Sequence, residues 1–396
     1  MAIAQRIFSK VKGDRWIWFI VIILSLVSLL AVYSSTGTLA YKYHAGNTEY
    51  YLLKHFSLLV FGLFIMFIAH LADYRIYSRI AQLLLILSVP LLLVTLFVGS
   101  DINEAKRWIP LPGINLSFQT SDLAKLALIM FTARYLTKHQ DDVKSFKQGF
   151  LPIISIISLI CLLIAPADFS SAGVLFFTCL LILFIGRMKW TYLLSTIVAG
   201  FAVVILVFLL AYAFPDFGRF STWTSRIEEF SNNTEVPYQV QQSKIAIAEG
   251  GLFGKGPGNS TQRNFLPHPY SDFIFSIIIE EYGLLGATVL ISLYLLFLFR
   301  CIRIVLKSPG TFSAFMAIGL SISLVIQAFI NMSVAVNLLP VTGLTLPLVS
   351  MGGTSIWFTS LSIGIILSVS RKAEQEDDES TSILEHAPIN TIIEQA

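Results

Sequence analysis

The sequence predicts an all-α polytopic membrane protein with about ten transmembrane helices and a long extracytoplasmic loop between helices 7 and 8. Three observations predict it. Hydrophobic residues make up 55% of the 396 and charged residues only 13%, roughly half the charged share of an ordinary soluble domain. Mean hydropathy is +0.75, which in water would leave large apolar patches exposed. The apolar residues also fall in runs of about 20, the length that crosses a hydrocarbon core about 30 Å thick. Together these exclude a soluble enzyme and any disordered or fibrous class. A net charge of +3 without a basic helix or repeat excludes nucleic acid as a partner. Cys161, Cys179 and Cys301 lie in apolar runs at spacings that fit no metal site.

The expected spans are 16–33, 51–71, 79–98, 121–136, 149–166, 170–186, 190–213, 272–305, 312–334 and 348–370. The first follows Arg6, Lys10, Lys12 and Arg15 like a signal peptide. Its long apolar stretch and lack of a small-x-small cleavage site make it a retained anchor. Placing the N-terminus inside puts Arg75, Arg79, Arg134, Lys138, Arg187, Lys189, Arg300, Arg303, Lys307, Arg371 and Lys372 on the cytoplasmic side, as the positive-inside rule requires. An even number of spans brings both termini to the cytoplasm. The chain thus divides into a cytoplasmic segment 1–15, a membrane domain 16–370 containing the large outer loop 214–271, and an acidic tail 371–396 expected to lack fixed structure.

The eighth span is too long for the bilayer. At about 1.5 Å per residue, 272–305 would rise about 51 Å, so it must project, tilt or break, and Gly283 and Gly286 are the expected break points. Asp272 sits at its outer end. Glu280 and Glu281 lie inside an apolar run, where they need partners or protonation.

Other unusual residues also collect on the outer side. Lys106, Arg107 and Trp108 read either as an interfacial anchor or as a clamp on a lipid phosphate. Gln119 precedes a helix that Thr120 or Ser121 can cap. On it Asp122 and Lys125 are three residues apart and face each other, as a structural ion pair or as a pair lining a cavity. Asp168 has no basic neighbour in sequence and reads as a helix cap or a site acid. Tyr238–Glu249 reads as an amphipathic surface helix. The glycine-rich 250–259 that follows contains Lys255, at a spacing that is not a P-loop. Arg263 and His268 come next. The stretch 331–353 is uncharged yet broken by Pro340, Gly343, Pro347, Gly352 and Gly353. Such backbone survives at membrane depth only when it is buried in protein or lines a cavity.

These segments, in this order, resemble the SEDS family (shape, elongation, division and sporulation; the FtsW/RodA type). The resemblance covers nearly the whole chain to about residue 370. Its most specific stretch is Tyr238-Gln-x-x-Gln242-Ser, Gly250-Gly-Leu-Phe-Gly-x-Gly, Phe265-Leu-Pro, Ser271-Asp-Phe-Ile-Phe and Glu280-Glu-Tyr-Gly-Leu-Leu-Gly. Gly343-Leu-Thr-Leu-Pro with Ser350-Met-Gly-Gly-Thr-Ser is most like the cell-division branch. The sequence departs from the family at Gln119-Thr-Ser-Asp122, Ala167-Asp168-Phe-Ser and Met351, and none of these changes removes a charged group.

The resemblance implies a peptidoglycan glycosyltransferase of the bacterial cytoplasmic membrane, acting at the division septum. Its implied substrate is lipid II, the undecaprenyl-pyrophosphate disaccharide-pentapeptide. Its implied partners are a class B penicillin-binding transpeptidase and other divisome membrane proteins. The family's essential acid maps onto Asp272, which reads otherwise as a helix N-cap. The substrate-binding candidates are Lys106, Arg107, Trp108, Gln119, Asp122, Lys125, Asp168, Gln242, Lys255, Arg263, Glu280, Glu281, Ser350, Gly352 and Gly353. Lys106, Arg107, Lys255 and Arg263, with Lys125 deeper, are the expected pyrophosphate contacts. No metal-ligand cluster is legible, and a divalent cation, magnesium or manganese, arriving with the pyrophosphate is left open. Two other readings stand beside this one: a lipid II flippase, and a non-catalytic scaffold for the transpeptidase.

Overall fold

The computed structural model describes residues 12–43, 46–102, 105–110, 117–213 and 237–386. The helices are α1 (Arg15–Ser35), α2 (Gly37–Tyr43), α3 (Thr48–Leu71), α4 (Tyr74–Val98), α5 (Thr120–Lys138), α6 (Leu151–Ile164), α7 (Phe169–Ile185), α8 (Trp190–Ala213), α9 (Tyr238–Gly250), α10 (Ile274–Leu306), α11 (Thr311–Ala335) and α12 (Thr354–His386). Between α4 and α5 the strands β1 (Ser100–Ile102), β2 (Ala105–Pro110) and β3 (Ser117–Gln119) form an antiparallel sheet in sequence order. Trp108 pairs with Gln119 and Pro110 with Ser117.

The fold is a polytopic helical membrane bundle. Seven helical segments are long and apolar enough to cross a bilayer: α1, α3, α4, the Phe146–Ile164 segment ending in α6, α8, α10 and α11. The apolar α7 is shorter, at 17 residues. Helix α5 is wrapped by protein. Ala124, Leu126, Ala127, Leu128, Ile129, Met130 and Ala133 are all buried in the shared core.

Local chemistry sets several ends. The Asp14 side chain accepts from Trp16 N at 2.9 Å and Ile17 N at 3.2 Å, starting α1. Its other oxygen receives Arg300 Nε at 2.8 Å, tying the start of α1 to the C-terminal part of α10. Asn47 and Asp73 cap α3 and α4 in the same way. Neither Thr120 nor Ser121 caps α5: Gln119 holds the cap position, without a side-chain bond.

The eighth span breaks as its length requires. Gly283 inside α10 has φ 68° and ψ −168°, while Gly286 stays helical. The last span differs from expectation at both ends. Residues 347–353 are irregular, because Leu346 N donates to Ser350 Oγ at 2.8 Å and Gly353 adopts a positive φ. Helix α12 therefore starts at Thr354 and not at 348. It then runs on to His386, where a tail without structure was expected from 371. Distant partners hold this extension. Glu374 accepts from Gly13 N at 2.8 Å, Arg371 donates to Leu71 O at 2.9 Å, and Asp377 pairs with Lys307 at 2.8 Å. The expected segments 1–11 and 387–396, and residues 214–236 of the outer loop, lie outside the described residues.

Candidate active site

Asp272 is not a helix cap. Helix α10 starts after Phe273, with no side-chain bond at its N-terminus. The Asp272 carboxylate accepts from Ser271 Oγ at 2.6 Å, and its backbone is held from α11. Asn331, 1% exposed, donates from Nδ2 to Asp272 O at 3.0 Å and to Leu344 O at 2.7 Å. The irregular 343–353 segment grips the same turn. Ser350 Oγ donates to Ser271 O at 2.6 Å, and Met351 N to Tyr270 O at 2.9 Å. From the far side, Ser28 Oγ donates to Val349 O at 2.7 Å and also bonds the buried His55 Nε2 at 2.7 Å. The broken backbone of this segment is thus satisfied by protein groups.

Asp272 opens into a cavity of about 440 Å³. Its lining includes Arg107, Trp108, Gln119, Asp122, Lys125, Asp168, Gly352 and Gly353, all expected from sequence. It also includes Ser117, Ser171, His268, Tyr270, Ser271, Gln327, Thr345, Met351 and Ser355, which were not. Gly343, at φ +71°, marks the meeting point. A β-carbon built there would lie 3.7 Å from Arg107 Nη1 and 3.9 Å from Asp272 Oδ2. The positive φ is what favours glycine at this position.

The cationic side is pre-set by ion pairs. Arg107 leaves strand β2, donates from Nε to Ala167 O at 2.7 Å and places Nη1 3.4 Å from Asp168 Oδ2. Asp168, 2% exposed, also caps α7 through Ser171 N at 3.1 Å and Ser171 Oγ at 2.7 Å. The helix-cap reading of this acid holds, and the basic partner missing in sequence is Arg107. Deeper, Lys125 Nζ pairs with Asp122 Oδ1 at 2.8 Å, and Asp122 Oδ2 accepts no hydrogen bond from the described residues. A smaller polar recess continues from this pair between α5, α11 and α12, past Ser323, Gln327 and Thr359.

The remaining candidates lie elsewhere. Lys255 does not line the cavity: its ammonium pairs with Glu280 Oε1 at 2.9 Å and with Glu249. Partial burial lowers the Lys255 pKa, but the hydrogen bonds to Glu249 and Glu280 outweigh it and hold it above the usual lysine value. Glu280, fully buried, also accepts from Thr261 N at 2.9 Å and Ser260 Oγ at 2.5 Å. Glu281 accepts from Ser34 Oγ, and Arg263 Nη1 donates to Ser34 O at 3.0 Å. Gln242 sits on α9, half-buried and away from the cavity lining. Ser350 acts through Ser271 and not as a lining group. The side chain of Lys106 lies outside the described residues.

The glycine-rich loop completes the broken helix. Lys255 N donates to Glu280 O and Gly256 N to Glu281 O, both at 2.9 Å, while Leu284 N donates to Gly251 O at 2.9 Å. A β-carbon at Gly254 would lie 2.2 Å from Glu281 O, and one at Gly283 2.3 Å from Leu252 O. The glycines serve this close backbone contact, which is not a phosphate cradle. Among the described residues no group of three or more His, Cys, Asp or Glu side chains is placed to hold a metal ion. Cys161, Cys179 and Cys301 are buried and unpaired by disulfides.

Fold and site define a multi-pass membrane protein with a charged cavity lined by Asp272 and by the Arg107–Asp168 and Lys125–Asp122 ion pairs. The family model described as "Cell cycle protein", covering FtsW, RodA and SpoVE, matches residues 14–375, and the chain belongs to this family. It is 36% identical over 378 residues to a probable peptidoglycan glycosyltransferase FtsW of Geobacter sp. (strain M18), covering 92% of this chain and 98% of the relative. It is 31% identical over 368 residues to the stage V sporulation protein E of Bacillus subtilis (strain 168), covering 92% and 98%. A chain solved in work on the structural coordination of polymerization and crosslinking by a peptidoglycan synthase complex superposes with a TM-score of 0.73 at 26% identity, covering 92% of this chain and 99% of that one. The rod shape determining protein RodA of Thermus thermophilus, as an Asp-to-Ala mutant, gives a TM-score of 0.67 at 25% identity, covering 91% and 98%.

Proposed function

We propose that this chain is a peptidoglycan glycosyltransferase that polymerises lipid II on the outer face of the cytoplasmic membrane during septal wall synthesis. The observation that carries this reading is the approach of Asp272 and Arg107 to the same point beside Gly343 in an open cavity. The names of the relatives point the same way.

The reaction joins the sugar 4-hydroxyl of one lipid-linked unit to the anomeric carbon of another. The Asp272 carboxylate takes the hydroxyl proton as general base. The freed oxygen bonds to the anomeric carbon, the bond from that carbon to the pyrophosphate oxygen breaks, and the electron pair leaves on the lipid pyrophosphate. Arg107 and Lys125 supply fixed positive charge to the leaving group. Asp168 and Asp122 hold those cations in place, so little reorganisation is needed as charge develops. A pyrophosphate leaves without a general acid, unlike the alcohol in a glycosidase. The protein offers no ligand set for a metal among the described residues. Magnesium or manganese would supply further positive charge to the leaving pyrophosphate, and no step above depends on it.

The same reading takes α5, α7 and α12 as three further spans and places both termini in the cytoplasm, supported by the basic residues of the inner loops. A class B penicillin-binding transpeptidase and other divisome proteins are the proposed partners, supported by the synthase-complex likeness. The test is lipid II polymerisation by the purified chain with its transpeptidase partner. Glycan chains made by wild type and absent from Asp272→Ala support the proposal. Equal polymerisation by Asp272→Ala overturns the assignment. Translocation of lipid II across liposomes without polymer favours the flippase reading. Site variants that leave division intact while outer-loop swaps abolish it favour the scaffold.

A further inference from the structure

Helix α10 has two halves of opposite character. Every residue from Ile274 to Glu281 is buried. Beyond Gly283 the helix turns apolar side chains outward at Leu284, Leu285, Val289, Leu295, Phe299 and Leu306. This is a helix face directed at lipid. From Leu284 to Leu306 the helix rises about 34 Å, close to the roughly 30 Å of a hydrocarbon core. Exposed Lys307 follows at once. The lipid-facing band of α10 therefore begins at Leu284, just past the break.

The glycine-rich turn is fastened at that level. Leu284 N donates to Gly251 O at 2.9 Å and Leu285 N to Leu252 O at 3.3 Å. The turn cannot ride away from the helix, since Gly250 and Gly254 pack their α-carbons against the backbone of Ile279 and Glu281. Yet its tip carries two large apolar side chains turned outward: Leu252 is 63% exposed and Phe253 78%. Polar Glu249, Lys255 and Thr261 pair with one another beside them. An apolar tip with a charged flank, continuous with a lipid-facing helix at its outer limit, has the amphipathic layout of an interfacial anchor.

We propose that Leu252 and Phe253 insert into the outer leaflet at the boundary between headgroups and acyl chains, so that a phospholipid surface is the partner of this turn. The insertion braces the break at Gly283, and through the buried half of α10 it sets the height of the outer segment above the membrane. It stands independently of the glycan chemistry. An aromatic ring beside an aliphatic side chain suits this zone, where aromatic residues are enriched in membrane proteins.

Spin labelling of the full chain in phosphatidylethanolamine–phosphatidylglycerol vesicles tests it. The native cysteines are buried, so a nitroxide placed by Phe253→Cys or Leu252→Cys reports from the turn, and Gln241→Cys on exposed α9 serves as the water-side control. The expected result is that collisions with dissolved oxygen exceed those with a water-soluble nickel chelate at 252 and 253, and the order reverses at 241. Nickel access at 252 and 253 equal to that at 241 overturns the proposal. Protection from both reagents also overturns it, since the tip would then be covered by protein, a second copy of this chain included.

Discussion

Two charged clusters flank the N-terminal part of α10, and in sequence they look equally suited to chemistry. One gathers Asp272, Arg107, Asp168, Lys125 and Asp122; the other gathers Glu280, Lys255, Glu249 and the glycine-rich turn. The first lines a cavity of about 440 Å³. In the second, Lys255 meets Glu249, Glu280 and Thr261, and Glu280 is fully buried under Ser260, Thr261 and Gln262. A carboxylate that accepts this many bonds in the interior is matched to its surroundings and has no reach toward a ligand. The comparison separates charges that hold a helix break together from charges arranged around open space.

The comparison predicts opposite phenotypes. Glu280→Ala leaves the donors of Ser260, Thr261 and Gln262 without their buried acceptor and should lower stability by about 1–3 kcal/mol. The check is denaturant or thermal unfolding in detergent, and an unchanged midpoint would remove Glu280 from its structural role. Arg107→Ala should reduce lipid II polymerisation by roughly 10²-fold, the scale of losing one charge-stabilising donor. Its thermal midpoint should move far less than that of Glu280→Ala, although Asp168 loses a partner. Gly254→Ala pushes a β-carbon into Glu281 O at a positive φ and should destabilise by roughly 2–3 kcal/mol. Equal stability there would mean that the turn and the break are not locked together. Asn331→Ala frees the Asp272 backbone and should lower kcat by about tenfold with KM little changed, about 1.4 kcal/mol of transition-state stabilisation. A change confined to KM would make Asn331 a substrate-binding group and not a positioning residue.

Much of the fold was legible because bilayer thickness dictates helix length. A helix too long for its membrane had to project, tilt or break, and of the two candidate positions the break falls at Gly283 while Gly286 stays helical. The extension of α12 was not legible. Its acidic residues read as solvated, and the partners that order them, Gly13 and Lys307, are 361 and 70 residues away. The site was legible as a set of charged residues, but its division into two clusters was not, since it depends on which loop closes over which face. Arg107 and Asp168 are 61 residues apart, and nothing local pairs them. Two omissions had a signal. Gln327 is an amide within the apolar run of α11, one turn before Asn331, where a polar group needs a reason. Tyr270 and Ser271 stand directly before Asp272, the candidate acid. Thr345 and Ser355 carried no such mark, because short hydroxyl residues are common in membrane helices and turns.

The central claim is that the acid beside Gly343 does chemistry while the acid beside Lys255 supports structure. The most direct measurement compares initial rates of lipid II polymerisation for Asp272→Asn and Lys255→Met, each reconstituted with the transpeptidase partner and normalised to folded protein. Asp272→Asn keeps the shape of the side chain and removes the base, so its rate should fall at least about 10²-fold, while Lys255→Met per folded molecule stays within a few-fold of wild type. The reverse order, with Asp272→Asn active and Lys255→Met silent, would contradict the account.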